Sequence, residues 1–351
     1  MTFYVGVDVG GTTTTVTIGG DDHNVLYVSD QFATRASDGP QATIAAIVEQ
    51  VQQGMQGLDA TVDRVSALGL ATPGPATLDG ILLKTPNLDP TVWDRYPIRL
   101  ELEKELKKHA PEIAVHYVGD GQAAALGEYV IRKGDLNWES KLGKRAVEDV
   151  SSLFMVIVGT GLGGGEVRNG QVVRGLEGRA GHAGHVLLPE FAFRHEHDRQ
   201  LVVGNTVATM ESAVSLTGLT HQLEYRLSLP DWKDHALNQQ SGSSKDKAKQ
   251  LRNLADDNDA LALQLFDDQA KALGIGLLSI NYLGDYDLVV IGGGVCDLSE
   301  GVRERYRKTA EDAYRTYCLD GFKNLTQFEF SACGDDAPVM GALAHAYAMN
   351  K

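Results

Sequence analysis

Three times in this chain of 351 residues an apolar, β-branched run stops at a knot of glycine. Phe3 to Val9 runs into Gly10-Gly11, Leu153 to Val158 into the segment Gly159 to Gly165 (GTGLGGG), and Leu288 to Ile291 into Gly292-Gly293-Gly294. Such a run is a buried strand, and glycine at its end lets the chain turn at once or lets backbone approach another group closely. The first two knots are succeeded by further β-like segments, Thr12 to Ile18 and Glu166 to Val173, so each reads as the turn of a β-hairpin. The recurrence suggests two related halves, each with its own sheet. Glycine makes up 39 of the 351 residues, about 11 per cent against a usual ~7 per cent. The surplus marks either flexible filler or close approach to a ligand.

Helical spacing appears over 41–55, through Ile44, Ile47, Val48 and Val51, and again over 100–109, 122–131, 205–219 and 258–282. Strands are expected at 65–70 and 113–118, a closing helix at 337–349, and an exposed polar loop at 238–249 (NQQSGSSKDKAK). With 32 basic and 47 acidic residues the net charge is −15, a field that repels nucleic acid and anionic lipid. The three cysteines, Cys296, Cys318 and Cys333, form no CxxC pair, which speaks for a reducing, cytoplasmic setting and against a thiolate zinc site. No apolar stretch approaches the ~18 to 20 residues that span a bilayer, and no basic leader precedes the first strand.

The glycine run after Val158 is no dinucleotide fingerprint, because residues 166–168 alternate toward the turn pair Asn169-Gly170 instead of opening a helix. A P-loop is excluded too, since no Gly-Lys-Ser or Gly-Lys-Thr occurs. A glycine hairpin can still offer successive N–H groups to a phosphate, and Thr12 and Thr160 add hydroxyls. Either turn alone could be a plain β-turn; two threonine-bearing turns favour a shared phosphate clamp. Asp8, at the end of a buried strand, is costly unless paired or near a cation, so it is a candidate to orient magnesium through water, or else a turn cap. Asp120 stands after a strand and before a helix. It is placed either to cap that helix or to take a proton from a hydroxyl in a cleft.

Together these segments resemble the ROK family of sugar kinases (repressor, open reading frame, kinase), within the actin-like and hexokinase-like ATPases. GVDVGGT at 6–12 resembles the first phosphate motif, and GLATPGPATLDGILLKTPNL at 69–88 the family's Pro-Gly-Pro and Pro-Asn-Leu pattern. GDGQAAALGE at 119–128 resembles the catalytic segment, and GTGLGGGEVRNGQVVRGLEGRAGHAGH at 159–185 the second phosphate motif with its histidine. Residues 292–295 and 334–341 are similar to the nucleotide-side glycine motif and the closing helix. The resemblance implies an α/β fold of two ribonuclease-H-like lobes around a central cleft, an N-terminal lobe over 1–118 rejoined by 338–351, and a C-terminal lobe over 119–337. It implies an ATP- and magnesium-dependent hexokinase of glucokinase type, with Asp120 as general base. Phosphates would fall to Asp8, Gly10, Gly11, Thr12, Thr160, Gly161, Gly292, Gly293 and Gly294, and sugar hydroxyls to Asn87, Asp120, His182, His185 and Glu211. It also implies a homodimer.

The chain departs from the family pattern at three places. Gly119 stands where the family has Asn before the catalytic Asp, and His182 where it has Glu. Both changes bear on which hexose is accepted, so fructose, mannose or an N-acetylhexosamine stand beside glucose. The CxCGxxGC zinc loop is missing; His185, His195 and His197 could replace it with three imidazoles, or His195 and His197 could be solvated loop residues. A rival from another class is a sugar-sensing regulator that has kept the fold without catalysis. The retained Asp120 and the absence of a DNA-binding segment before Phe3 speak for the enzyme. Polyphosphate stays open as an alternative donor.

Overall fold

The computed structural model describes residues 1–83, 89–324 and 326–350. β1 (Phe3–Val9) turns at Gly10 and returns antiparallel as β2 (Thr13–Gly20), with Val9 opposite Thr14. β3 (Val25–Val28) and β4 (Phe32–Ala33) pair with β2. α1 (Pro40–Gly57) opens on a proline behind Gly39 and buries Ile44, Ile47, Val51 and Met55 along one face. β5 (Val65–Thr72), the short α2 (Pro90–Trp93), α3 (Ile98–Leu106) and β6 (Ala114–Gly119) come next, then α4 (Asp120–Lys133) and the single turn α5 (Glu139–Leu142). The second half holds β7 (Ser152–Val158), β8 (Leu162–Arg168), β9 (Gln171–Val172), α6 (Met210–Val214), α7 (Leu216–Ser228), α8 (Ser244–Asp256), α9 (Ala260–Gly284), β10 (Leu288–Gly293), α10 (Glu300–Tyr317), β11 (Gln327–Phe330) and α11 (Ala337–Met349). No helix among the described residues is long and apolar enough to cross a membrane.

Two compact units result: residues 1–155 with 165–181 and 332–351, and residues 156–164 with 182–331. The first unit is built on a sheet in the order β3–β2–β1–β5–β6, with β4 beside β2. β1, β5 and β6 are parallel there. Strand alternation sends Val5, Val7 and Val9 with Leu68 and Leu70 into one core, which also holds Ile44, Ile47, Val51 and Leu102. The other face carries Gly6 opposite Gly69. α11 lies directly on that glycine pair: a side chain at Gly6 would meet the backbone of Val339 and Leu343, and one at Gly69 the backbone of Ala342. The same helix meets α4 through small residues, Gly341 against Ala123 and Gly127 against Ala337. Part of the glycine surplus therefore serves backbone-to-backbone packing and not a ligand.

The second sheet has the order β11–β10–β7–β8–β9. In the second unit α9, the longest helix at 25 residues, buries Leu261, Leu265, Leu273 and Leu277. Four expectations change. The glycine run after Val158 is only partly a turn, for Leu162 to Gly165 already belong to β8, and Gly292 and Gly293 lie inside β10. The helical stretch expected over 205–219 breaks at Ser215, whose hydroxyl caps α7 by accepting from Gly218 N–H at 3.0 Å. The polar segment 238–249 is half helix: Ser243 caps α8, and Ala248, Leu251 and Ala255 form a narrow buried stripe among its charges. That stripe of small and spaced apolar residues is too sparse to stand out in so polar a sequence.

Candidate functional site

Parallel strands place their carboxyl ends along one edge of a sheet, where ligands of α/β folds gather. Asp8 pairs with Ala71, Ala71 with Val118, and Thr72 with Gly119, so the ends of β1, β5 and β6 lie side by side. Asp8 shares the face of Gly6, the face on which α11 and α4 pack. Asp120 is the first residue of α4, and its Oδ1 accepts from Gly121 N–H at 2.7 Å. The positive helix end favours a carboxylate there. The two acids sense each other: burial pushes the Asp8 pKa up to about 8, and the negative charge of Asp120 adds to the rise. Beneath them the Thr72 and Tyr117 hydroxyls share a hydrogen bond of 3.0 Å.

The first glycine turn sits beside this acid pair in sequence and is fixed by neutral groups. Gly10 N–H donates to Thr13 O at 2.8 Å. The buried Thr34 donates its hydroxyl to Gly10 O at 2.8 Å and its N–H to Thr12 O at 2.9 Å, and it shares a bond with the Thr14 hydroxyl. The N–H groups of Gly11 and Thr12 take no acceptor among the described residues. Two successive N–H groups left over in a tight turn can be offered to an anion.

The second turn, in the second unit, reaches the same end by other means. Gly159 N–H donates to Gly161 O at 3.0 Å, and the start of α7 holds the turn's carbonyls: Leu216 N–H donates to Gly159 O at 2.9 Å, and the Thr217 hydroxyl to Thr160 O at 2.9 Å. Leu162 N–H donates to Glu211 Oε2 at 2.7 Å. Again two successive N–H groups, those of Thr160 and Gly161, find no acceptor among the described residues. Thr160 itself is exposed.

Behind this turn opens a cavity of about 400 Å³. Val214, Leu216, Leu219, Phe266, Val295 and Leu298 give it apolar walls, while Thr160, Lys249, Arg252 and Gly294 supply polar edges. Arg252 pairs with Asp297 at 2.8 Å. A slot of this size and lining suits a flat heterocycle. Of the third glycine knot, Gly294 lines the cavity, whereas Gly293, at φ 79°, lies against the backbone of Val158. Sequence reasoning missed nearly all of these wall residues, because four helices and a turn contribute them one or two at a time.

His182 and His185 flank a short helical turn, both exposed, with ring centroids 6.3 Å apart. In the first unit Gln122, two residues past Asp120, donates to Gly178 O and Ala180 O at 3.1 and 3.0 Å and so fixes the segment that leads to His182. Asn87 lies outside the described residues. The imidazole zinc set, one of the two readings of His195 and His197, is not formed: among the described residues no group of three His, Cys, Asp or Glu side chains could hold a metal. His197 stacks on His221 and Tyr225 at 4.0 and 4.2 Å, and His195 meets Tyr225 edge-on at 5.3 Å, so both rings are used in packing and do not join His185. Burial lowers the pKa of both.

Comparison with known proteins fits this geometry. The model of the ROK family matches residues 4–348. A glucokinase of Halalkalibacterium halodurans is 27% identical over 345 residues, which covers 97% of this chain and 93% of that protein. Among solved structures, a ROK hexokinase from Thermus thermophilus superposes with a TM-score of 0.75 at 26% identity, covering 99% of this chain and 98% of the other. A ROK family glucokinase from Streptomyces griseus, solved with glucose and AMPPNP, has the same fold, with a TM-score of 0.72 at 23% identity and 99% coverage of both chains. The chain belongs to the ROK family, with the two-sheet α/β fold of its hexokinases. It is a sugar kinase, a phosphotransferase with an alcohol group as acceptor.

Proposed function

We propose that this kinase transfers the γ-phosphoryl group of ATP to a hydroxyl of a hexose, in the manner of a glucokinase, with Asp120 as general base. The observation that carries the reading is the acid pair at the carboxyl ends of the parallel strands, with Asp8 pushed up to about 8 in the neighbourhood of Asp120. In this reading Asp120 accepts the proton of the attacking hydroxyl as its oxygen forms a bond to the γ-phosphorus, and the bond to the β–γ bridging oxygen breaks to release ADP. The Gly11 and Thr12 N–H groups and those of Thr160 and Gly161 hold phosphate oxygens, and the apolar cavity takes the adenine. A polyphosphate chain would gain nothing from walls such as Phe266 and Leu219, which supports a nucleotide donor.

The donor set also fits magnesium. A buried carboxyl with a raised pKa is stabilised as carboxylate by a cation, and Mg²⁺ is usually bound through one or two carboxylates plus phosphates and water. Asp8 would hold it through water; there it would neutralise phosphate charge. His182 and His185 stand for the sugar side. Because His182 and Gly119 replace the family's Glu and Asn, fructose, mannose or an N-acetylhexosamine forms the second reading.

The test is coupled ADP release with ATP and magnesium over a panel of hexoses and amino sugars, with Asp120→Asn as control. Turnover of one or a few sugars that collapses in the variant is expected. Turnover that persists in Asp120→Asn would remove Asp120 as the base, and no turnover on any sugar would remove the catalytic reading.

A further inference from the structure

The family resemblance gives Glu211 to the sugar, and one of its carboxylate oxygens is also bonded to the backbone at the end of the second glycine turn. Glu211 lies in the first turn of α6, which Thr209 caps by accepting from Ser212 N–H at 3.1 Å. Met210 N–H donates to Val186 O and Leu188 N–H to Ala208 O, both at 2.8 Å, so the start of this helix is locked in place. From there Glu211 Oε2 accepts the Leu162 N–H at 2.7 Å, the short distance of a charge-assisted bond. It is confined on both sides by glycine: a Cβ on Gly161 would stand 2.8 Å from Oε2, and one on Gly184 3.1 Å. A side chain at either position would push the carboxylate from where it stands, and at Gly184 it would also meet Leu162 O.

The bond matters because of what it leaves over. In the segment 159–162 the Gly159 N–H is spent on Gly161 O and the Leu162 N–H on Glu211, while α7 holds the carbonyls of Gly159 and Thr160. Thr160 and Gly161 keep the two N–H groups without an acceptor among the described residues. We infer that Glu211 is a positioning residue for the phosphoryl donor: its Oε2 fixes the end of the second glycine turn, so that the Thr160 and Gly161 N–H groups are pre-set for a phosphate. The inference rests on the proposed phosphate role of that turn. The carboxylate is tied to the turn by the Leu162 N–H, and its charge strengthens that bond.

The experiment is calorimetric titration of the full-length protein with a non-hydrolysable ATP analogue and Mg²⁺, without sugar, for the wild type, Glu211→Ala and Glu211→Gln, with melting temperature measured for each. Loss of one hydrogen bond to a charged group predicts analogue binding weaker by about tenfold in Glu211→Ala. In Glu211→Gln the amide oxygen still accepts from Leu162, and the dissociation constant returns to within about threefold of the wild type. Should Glu211→Ala fail to fold, Glu211→Asp, one methylene short of the turn, takes its place with the same expected direction. Unchanged analogue binding in the Ala or Asp variant overturns the inference and leaves Glu211 to the sugar alone. Equal weakening in Ala and Gln overturns the hydrogen bond as its basis. A wild type that binds the analogue but phosphorylates no sugar would break the kinase reading alone, whereas one that binds no analogue overturns the inference itself.

Discussion

The two glycine turns do the same thing with different supports. Both come after an apolar strand and both leave two successive N–H groups without an acceptor among the described residues. The first is tied by the hydroxyls of Thr34 and Thr14, the second by the start of a helix and by a carboxylate. The difference tracks the local charge. The first turn ends the strand of Asp8, which already senses Asp120, so a further carboxylate there would deepen an existing repulsion, and neutral hydroxyls avoid it. No acid pair of that kind borders the second turn among the described residues, and a carboxylate can hold its backbone. On the proposed reading the first turn belongs to acid and cation chemistry and the second to the nucleotide.

The sharpest way to break this division is Asp120→Asn. Removal of a general base costs roughly 100- to 10,000-fold in kcat, and the division requires nucleotide binding at the second turn to stay near the wild-type value. A large loss in ATP-analogue affinity, measured by titration beside the steady-state assay, would show that Asp120 serves the donor as well.

Asp8→Asn should separate activity from stability. Folding raises the Asp8 pKa from 3.8 to about 8, so between these values the folded chain binds more protons than the unfolded chain. Stability from this group therefore falls as pH climbs through that window. The variant has no such penalty: its melting temperature should exceed that of the wild type by a few degrees at about pH 8.5, by less near pH 5, while kinase activity drops. Melting curves across pH without magnesium or nucleotide decide this. An equal difference at both pH values would mean that the Asp8 carboxyl is not strained by burial and by Asp120.

Much of this was legible in the sequence because it is local. Strands that end in glycine, a threonine in each turn and an acid at a strand end are readable from neighbouring letters, and β1, β7 and β10 formed where their apolar runs lie. What could not be read is long-range. Gly6 and Gly69 look like any strand glycines until β1 and β5 pair in register and α11 crosses them. Thr34, which ties the first turn, is 24 residues away from Gly10 and carries no motif. The cavity walls come from α6 to α9 and the turn after β10. α8 was hidden for a different reason, since its buried stripe of Ala248, Leu251 and Ala255 is thin among charged residues.

A smaller effect compares the two supports directly. Thr34→Val removes a buried hydroxyl that serves both Gly10 O and Thr14, and should cost about 1–2 kcal/mol of stability with a severalfold rise in KM for ATP. Thr217→Val removes one of two bonds to Thr160 O, for the Thr217 N–H still donates there, so its cost should stay below that of Thr34→Val. Denaturant melts of the two variants rank the supports, and the reverse order would mean that the second turn depends more on its hydroxyl than on helix and carboxylate.

The smallest expected effect tests how far the second turn extends. As a seven-residue glycine loop, 159–165 would need every glycine; as a turn that ends at Gly161, it would not. Gly163 lies inside β8, has no positive φ, and a Cβ there meets nothing within 4 Å. Gly163→Ala should therefore leave stability within about 0.5 kcal/mol or raise it slightly, because alanine narrows the unfolded ensemble. Gly161→Ala, two residues earlier, would press a methyl to 2.8 Å from Glu211 Oε2 and should weaken nucleotide binding. If the two variants lose ATP affinity alike, the phosphate grip extends along β8, and the contrast between a hydroxyl-tied and a carboxylate-tied turn would have to include the strand itself.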